Sequence, residues 1–312
     1  MCTTVVATAQ DHVRFVVTGD DRWNTGKPRE GLDENGVNVT GMKRIVSAIL
    51  AEKPDALLFN GDLVGGGKTD EDELSQFATW CKVMDPIYDA GIKVLAARGN
   101  HEIHCPNAGD VWKKVFSGKY ANPTDGPAGE EGMTYQMTIK NCLFLSIDEF
   151  STSGITGNQE WLEKVLKAPH ALHVFPFAHK MAFFSGNHTD GMWTEAEKRD
   201  KFINSLVDGG ARTVFFGHDH LYDHLTAKLP SWGDDKSIHQ FVIGTAGAPF
   251  VKGKTPPVDG DWQIKHVGHV EQQLGYAVVD VHGMNVKIEF KAEKSPGVFE
   301  TVDTFSYTLT NK

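Results

Sequence analysis

The chain has 312 residues, 40% of them hydrophobic and 23% charged, and 31 basic against 41 acidic side chains leave a formal net charge of −10. That apolar content excludes a disordered chain, and no run approaches the roughly 18 apolar residues of a helical membrane span. The acidity, with no Lys/Arg cluster, disfavours nucleic acid and anionic bilayers as partners.

Residues 1–12 are expected to form an N-terminal extension. Met1 to Gln10 has neither a basic n-region nor a long enough apolar run, so no intact export signal is read and the compartment, periplasmic, secreted or cytoplasmic, stays open. Cys2, Cys81, Cys105 and Cys142 form no CxxC pair, which points to buried thiols rather than a zinc knuckle or disulfide framework. From Val13 the pattern alternates short β-type runs with helical ones, the signature of an α/β fold. Val13–Thr18 reads as a strand, followed by Gly19-Asp20-Asp21-Arg22 and a helix capped by Thr40. Ala56–Phe59 leads to Asn60-Gly61-Asp62, and a helix runs from Asp70 to Asp89. Ile92–Ala97 leads directly into Arg98-Gly99-Asn100-His101-Glu102.

Further strands are predicted at Thr134–Thr138, Leu143–Ile147, Leu172–Phe177, Thr213–Phe216 and His239–Ile243, with helices at Gln159–Lys167 and Glu195–Asp208. Tyr276–Val281, Val286–Phe290 and Phe305–Leu309 read as antiparallel strands that complete a second sheet. Gly19–Asn38, Cys105–Gly132 and Lys252–Gln273 exceed the usual connection length and are expected to wall a binding site within one domain, 13–312.

Metal-capable side chains recur where strands end: Asp20, Asp62, Asn100 with His101, His179, and Gly217-His218-Asp219-His220. In an open α/β sheet such ends share one edge, so these groups can converge. Singly, a Gly-Asp reads as a turn and a lone histidine as a surface or hydrogen-bonded residue. Jointly they supply carboxylate, amide and imidazole donors without thiolate, which suits Mn, Fe or Zn. The count fits a pair of ions sharing a carboxylate better than one tetrahedral zinc. Such ions lie about 3.5–4 Å apart and clamp an in-line phosphoryl displacement.

In these ordered motifs the chain resembles the calcineurin-like metallophosphoesterases, nearest in texture to the purple-acid-phosphatase-like branch. The resemblance rests on Asp20, Gly61-Asp62, Gly99-Asn100-His101-Glu102, His179 and Gly217-His218-Asp219-His220, with Gly244–Gly247 as the glycine-rich turn beyond them. It implies a four-layer αββα sandwich of two mixed β-sheets flanked by helices. It also implies a dinuclear centre in which Asp62 bridges, Asp20 and His220 hold the first ion, and Asn100, His179 and His218 hold the second. The activity implied is hydrolysis of a small-molecule or protein phosphomonoester or phosphodiester by in-line attack of metal-bound hydroxide. His101 would face the substrate as a phosphoryl contact or general acid, and His188 is a second substrate-facing candidate, with an exposed loop histidine as the alternative.

Two positions depart from the family pattern. Arg22 stands where many relatives have histidine, and its guanidinium offers no lone pair. It is expected either to grip phosphate bidentately or, as the alternative, to lie in a solvated loop or salt-bridge to Asp21, and Asn24 is named as a replacement donor for the first ion. Gly65 stands where purple acid phosphatases have a tyrosine, so an iron–tyrosinate colour is not expected. A metal-binding or regulatory protein without turnover is the alternative function, and a nuclease would need a basic groove that the sequence does not provide.

Overall fold

The computed structural model describes residues 12–23, 33–151, 154–233, 236–254 and 259–310. Apart from His12, the expected N-terminal extension lies outside them, as do Cys2 and Asn24. In chain order the elements are β1 (His12–Thr18), β2 (Asp33–Glu34), β3 (Val37–Asn38), α1 (Val39–Glu52), β4 (Ala56–Phe59), α2 (Asp70–Asp89) and β5 (Lys93–Ala96). There follow α3 (Ala108–Val115), β6 (Tyr135–Ile139), β7 (Cys142–Ser146), α4 (Gln159–Lys167), β8 (His173–Phe177), α5 (Ala196–Asp208) and β9 (Thr213–Phe216). The chain ends in β10 (Tyr222–Lys228), β11 (Ile238–Ile243), β12 (Gln263–Val270), β13 (Gly275–His282), β14 (Asn285–Ser295) and β15 (Val298–Thr308).

These strands build two mixed sheets, ordered β15-β14-β13-β1-β4-β5 and β12-β10-β11-β9-β8-β7-β6. β1, β4 and β5 run parallel, as do β7, β8, β9 and β11, while the flanking strands pair antiparallel. Because successive strand side chains point to opposite faces, the alternation within each strand defines the layers. Phe15 and Val17 face a core shared with Phe144, Phe175 and Phe215 of the other sheet, whereas Val16 faces the core made with α1 and α2. In the second sheet Phe215 joins the central core, while Val214 and Phe216 pack against α4 and α5. Three cores between four layers give an αββα sandwich.

Several local expectations are corrected. Asn38, not Thr40, caps α1, its Oδ1 accepting from the Gly41 N–H at 2.9 Å. The stretch 105–132 contains α3, whose few apolar residues (Val111, Trp112, Val115) gave too short a periodicity to stand out. The stretch 252–273 contains β12, a sheet-edge strand whose residues are at best half-buried and therefore lack an apolar signature. The C-terminal strands complete the sheet begun by β1, with which β13 pairs. Cys81, Cys105 and Cys142 are buried free thiols. Among the described residues no helix is long and apolar enough to cross a membrane.

Candidate metal centre

The carboxyl ends of β1, β4, β5, β8 and β9 deliver Asp20, Asp62, Asn100 with His101, His179, and His218 with His220 to one place between the sheets. The turns that do so are tight. Asp20, Asp62 and His218 adopt left-handed φ values of 63°, 52° and 70°, a strain that persists only where surrounding contacts over-determine it. Gly99 and Gly217 are needed for close approach, since a Cβ at either would collide with the Asp62 or Asp20 carboxylate respectively. Glu102 ties the loops together: it accepts from the backbone N–H groups of Asp62 at 3.0 Å, Val64 at 3.0 Å and Gly99 at 2.6 Å.

Hydrogen bonds on the far side of each imidazole fix which ring nitrogen faces the centre. His179 Nδ1 donates to the Asn60 carbonyl at 2.8 Å, so its Nε2 carries a lone pair. His218 Nε2 donates to Asp190 at 3.0 Å, which leaves Nδ1 inward, and Asp190 is itself paired with Lys180 at 2.8 Å. His179 Nε2 then lies 2.9 Å from Asn100 Oδ1, 3.2 Å from His218 Nδ1 and 3.3 Å from Asp62 Oδ1. Three acceptor atoms thus lie within 3.3 Å of the His179 Nε2 lone pair, and among the described residues only Asp62 Oδ1 of the four takes a backbone hydrogen bond, from the His101 N–H at 3.1 Å, a donor set of carboxylate, amide and imidazole that fits a divalent cation. Burial pushes His179 down to about 3, so at neutral pH it is the neutral ligand form. Despite its burial, Asp62 lies below the usual carboxylate range, drawn down by the surrounding His179, His101 and Arg22.

The other face of Asp62 differs. His220 Nδ1 donates to the Pro249 carbonyl at 2.7 Å, and its Nε2 lone pair faces Arg22 Nη2 at 3.3 Å. Arg22 Nε donates to Asp62 Oδ2 at 2.9 Å. The expected alternative partner of Arg22, Asp21, is fully buried, and neither of its carboxylate oxygens has a hydrogen-bond partner among the described residues. Burial and the nearby Glu102 hold Asp21 well above the usual carboxylate range. Asp20 accepts from the His218 backbone N–H with both oxygens, at 3.0 and 3.1 Å. Its burial, followed by repulsion from Asp62, raises its pKa well above the usual range. Burial lowers His220 to about 3, and the Arg22 charge adds to that.

His101 is buried, with Nδ1 donating to the Gly65 carbonyl at 2.7 Å and Nε2 3.9 Å from Asp62 Oδ2. Gly65, which replaces the family tyrosine, therefore contributes its backbone. His188 reaches the same side: its ring centroid is 4.2 Å from that of His218, and its Nδ1 donates to Asp219 at 2.7 Å. Asp219 also accepts from the Asn187 and His188 N–H groups, so the buried middle residue of the histidine motif holds the 187–188 loop over the centre. Glu149 similarly accepts from the N–H groups of His179 and Lys180. The sequence reading missed Asp190 and Glu149 as supports, because a carboxylate distant in sequence signals nothing until the fold brings it to a ligand, and it gave Asp219 no role because its partners, Asn187 and His188, lie about thirty residues away. Glu102 and Asp219 both lie inside the quoted motifs, but their supporting contacts, to Val64 and to the 187–188 loop, are set by the fold.

Solved structures with the same fold include the purple acid phosphatase PPD1 from yellow lupin (Lupinus luteus) seeds, with a TM-score of 0.67 at 16% identity over 97% of this chain and 54% of that one. The chain thus spans about half the length of the lupin protein. GAP50, the anchor in the inner membrane complex of Plasmodium, matches with a TM-score of 0.64 at 13% identity over 96% of this chain and 90% of that one. A dimetal phosphatase from Danio rerio matches with a TM-score of 0.58 at 12% identity over 96% and 99%. Residues 14–222, which carry every strand-end motif described above, match the family model for calcineurin-like phosphoesterase, and the chain belongs to that family.

Proposed function

We propose that the chain is a divalent-metal-dependent hydrolase of a phosphomonoester or phosphodiester. The observation that carries this reading is the gathering of Asp62 Oδ1, Asn100 Oδ1 and His218 Nδ1 within 3.3 Å of the inward lone pair of His179 Nε2. A divalent ion bound there would supply charge neutralisation at a phosphoryl oxygen and acidification of water. The chain's own residues supply the rest. Asn60 and Asp190 hold the inward lone pairs of His179 and His218 in place. His101, fixed through Gly65, keeps Nε2 on the site side, where it can exchange a proton with the leaving-group oxygen. His188, steered by Asp219 and half-buried at the rim, is suited to contact the phosphoryl group or its substituent.

Hydrolysis of an aryl phosphate and a bis-aryl phosphate with added Mn2+, Fe2+ or Zn2+ tests the reading. Turnover abolished by chelator and restored by the ion is expected. His101→Ala should reduce kcat by about 10²–10⁴-fold with bound metal unchanged. A second reading, a metal-binding protein without turnover, is favoured by Arg22 lying against Asp62 and His220. Full metal occupancy with no hydrolysis of either substrate class would select it.

A further inference from the structure

We propose that the Arg22 guanidinium is a built-in cation that takes the place of one of two ions, so that the chain binds a single divalent metal, at Asp62, Asn100, His179 and His218. The inference rests on the metal-dependent reading above and narrows it. Ligand-capable atoms of Asp20, Asp62 and His220 lie within 4.8 Å of one another and are buried, so these residues form the framework of a second cation pocket. Within that framework the lone pairs are already engaged: Asp62 Oδ2 accepts from Arg22 Nε at 2.9 Å, and His220 Nε2 faces Arg22 Nη2 at 3.3 Å. On the opposite side Asp62 Oδ1 accepts from the His101 backbone N–H at 3.1 Å and faces the His179 Nε2 lone pair at 3.3 Å, with no cationic side chain bonded to it among the described residues. One bridging carboxylate therefore presents one oxygen to an acceptor cage and the other to a cation that is part of the chain.

The arginine is held there from several directions. Its backbone N–H donates to the Asp62 carbonyl at 3.1 Å, the residue forms an antiparallel bridge with Val37, and its side chain is only 11% exposed. An ion bonded at about 2.1 Å to Asp62 Oδ2 and His220 Nε2 would have to enter the space into which the guanidinium N–H bonds point. The guanidinium cannot yield by losing its proton, because it stays charged at any physiological pH. Charge arithmetic points the same way. Even with both Asp20 and Asp62 counted as ionised, the state most favourable to cations, one divalent ion plus the guanidinium leaves one positive charge, whereas two ions plus the guanidinium leave three in a buried site. Asp20 meanwhile has another task, gripping the His218 N–H with both oxygens, which positions the loop that carries the second-site histidine.

The test is metal stoichiometry on the full chain, stripped with chelator and titrated with Mn2+ by calorimetry, with elemental analysis after desalting and electron paramagnetic resonance of the bound ion. The wild type should bind one Mn2+ per chain with the spectrum of an isolated ion. His220→Ala should still bind one, His179→Ala should lose it, and Arg22→His should bind a second ion and give an exchange-coupled signal. Two coupled ions in the wild type, loss of an equivalent in His220→Ala, or retention of a single ion in Arg22→His would overturn the proposal while leaving the metal-dependent reading in place. No bound ion in the folded wild type would overturn both.

Discussion

A single carboxylate, Glu102, holds the backbone of two ligand loops at once, and burial with the Asp62 charge nearby raises its pKa to about 8. Replacing it by alanine leaves three buried N–H groups without an acceptor, at about 1–3 kcal/mol each. Glu102→Ala is therefore expected to lose about 3 kcal/mol or more in chemical denaturation, and to weaken Mn2+ binding tenfold or more by releasing the Asp62 and Asn100 turns. Glu102→Gln, which keeps one oxygen acceptor, should recover part of both. The same scale explains which site residues were legible beforehand. Asp62, Asn100, His179 and His218 could be picked out because each directly follows an apolar strand, and strand ends share an edge. Arg22 could be picked out as a departure but not placed, since whether it faces phosphate, Asp21 or the centre depends on the distant Asp62 and His220.

The secondary-structure elements divide by how much apolar surface they bury. Strands such as β4, β7 and β8, buried along their whole length, were predicted to within a residue or so of their observed bounds. α1 began earlier than predicted because its cap is decided by a tertiary contact: Asn38 accepts from Gly41 and also donates from Nδ2 to the Gly247 carbonyl at 2.7 Å. Asn38→Ala should accordingly cost about 1–2 kcal/mol in urea denaturation. β12 went unread because an edge strand needs only one paired side and tolerates polar residues on both faces. Its His269 donates to the buried Asp223 at 3.0 Å and contacts Glu271 at 3.1 Å, while His266 shares the same carboxylate at 3.0 Å. The hydrogen bond to Asp223, opposed by partial burial, raises His269 to about 9. A histidine whose folded pKa exceeds its unfolded value of about 6.5 stabilises fully below that pH and loses the contribution as pH rises through the folded value. Stability measured from pH 6 to 10 should therefore show a decline across about 6.5–9 that is flattened in His269→Gln.

At the scale of the whole molecule, the metal centre lies at the junction of the two sheets, with Asp20, Asp62 and Asn100 from one and His179, His218 and His220 from the other. An ion shared across that junction binds only the folded chain, and at a hundred times its dissociation constant adds about 2.7 kcal/mol of stability. Saturating Mn2+ should raise the melting temperature by several degrees, and His179→Ala should abolish the rise. The sequence by itself determined the α/β class, the order of the strand-end motifs and the residues able to donate to a metal, because buried strands and tight turns impose local patterns of apolarity and glycine. Only the tertiary structure decided that β13 pairs with β1, that Asp190 and Asp219 steer His218 and His188, and that Arg22 lies against Asp62 and His220. Each of these is a contact between segments far apart along the chain, whose geometry is set by how the layers pack and leaves no periodic trace in either segment.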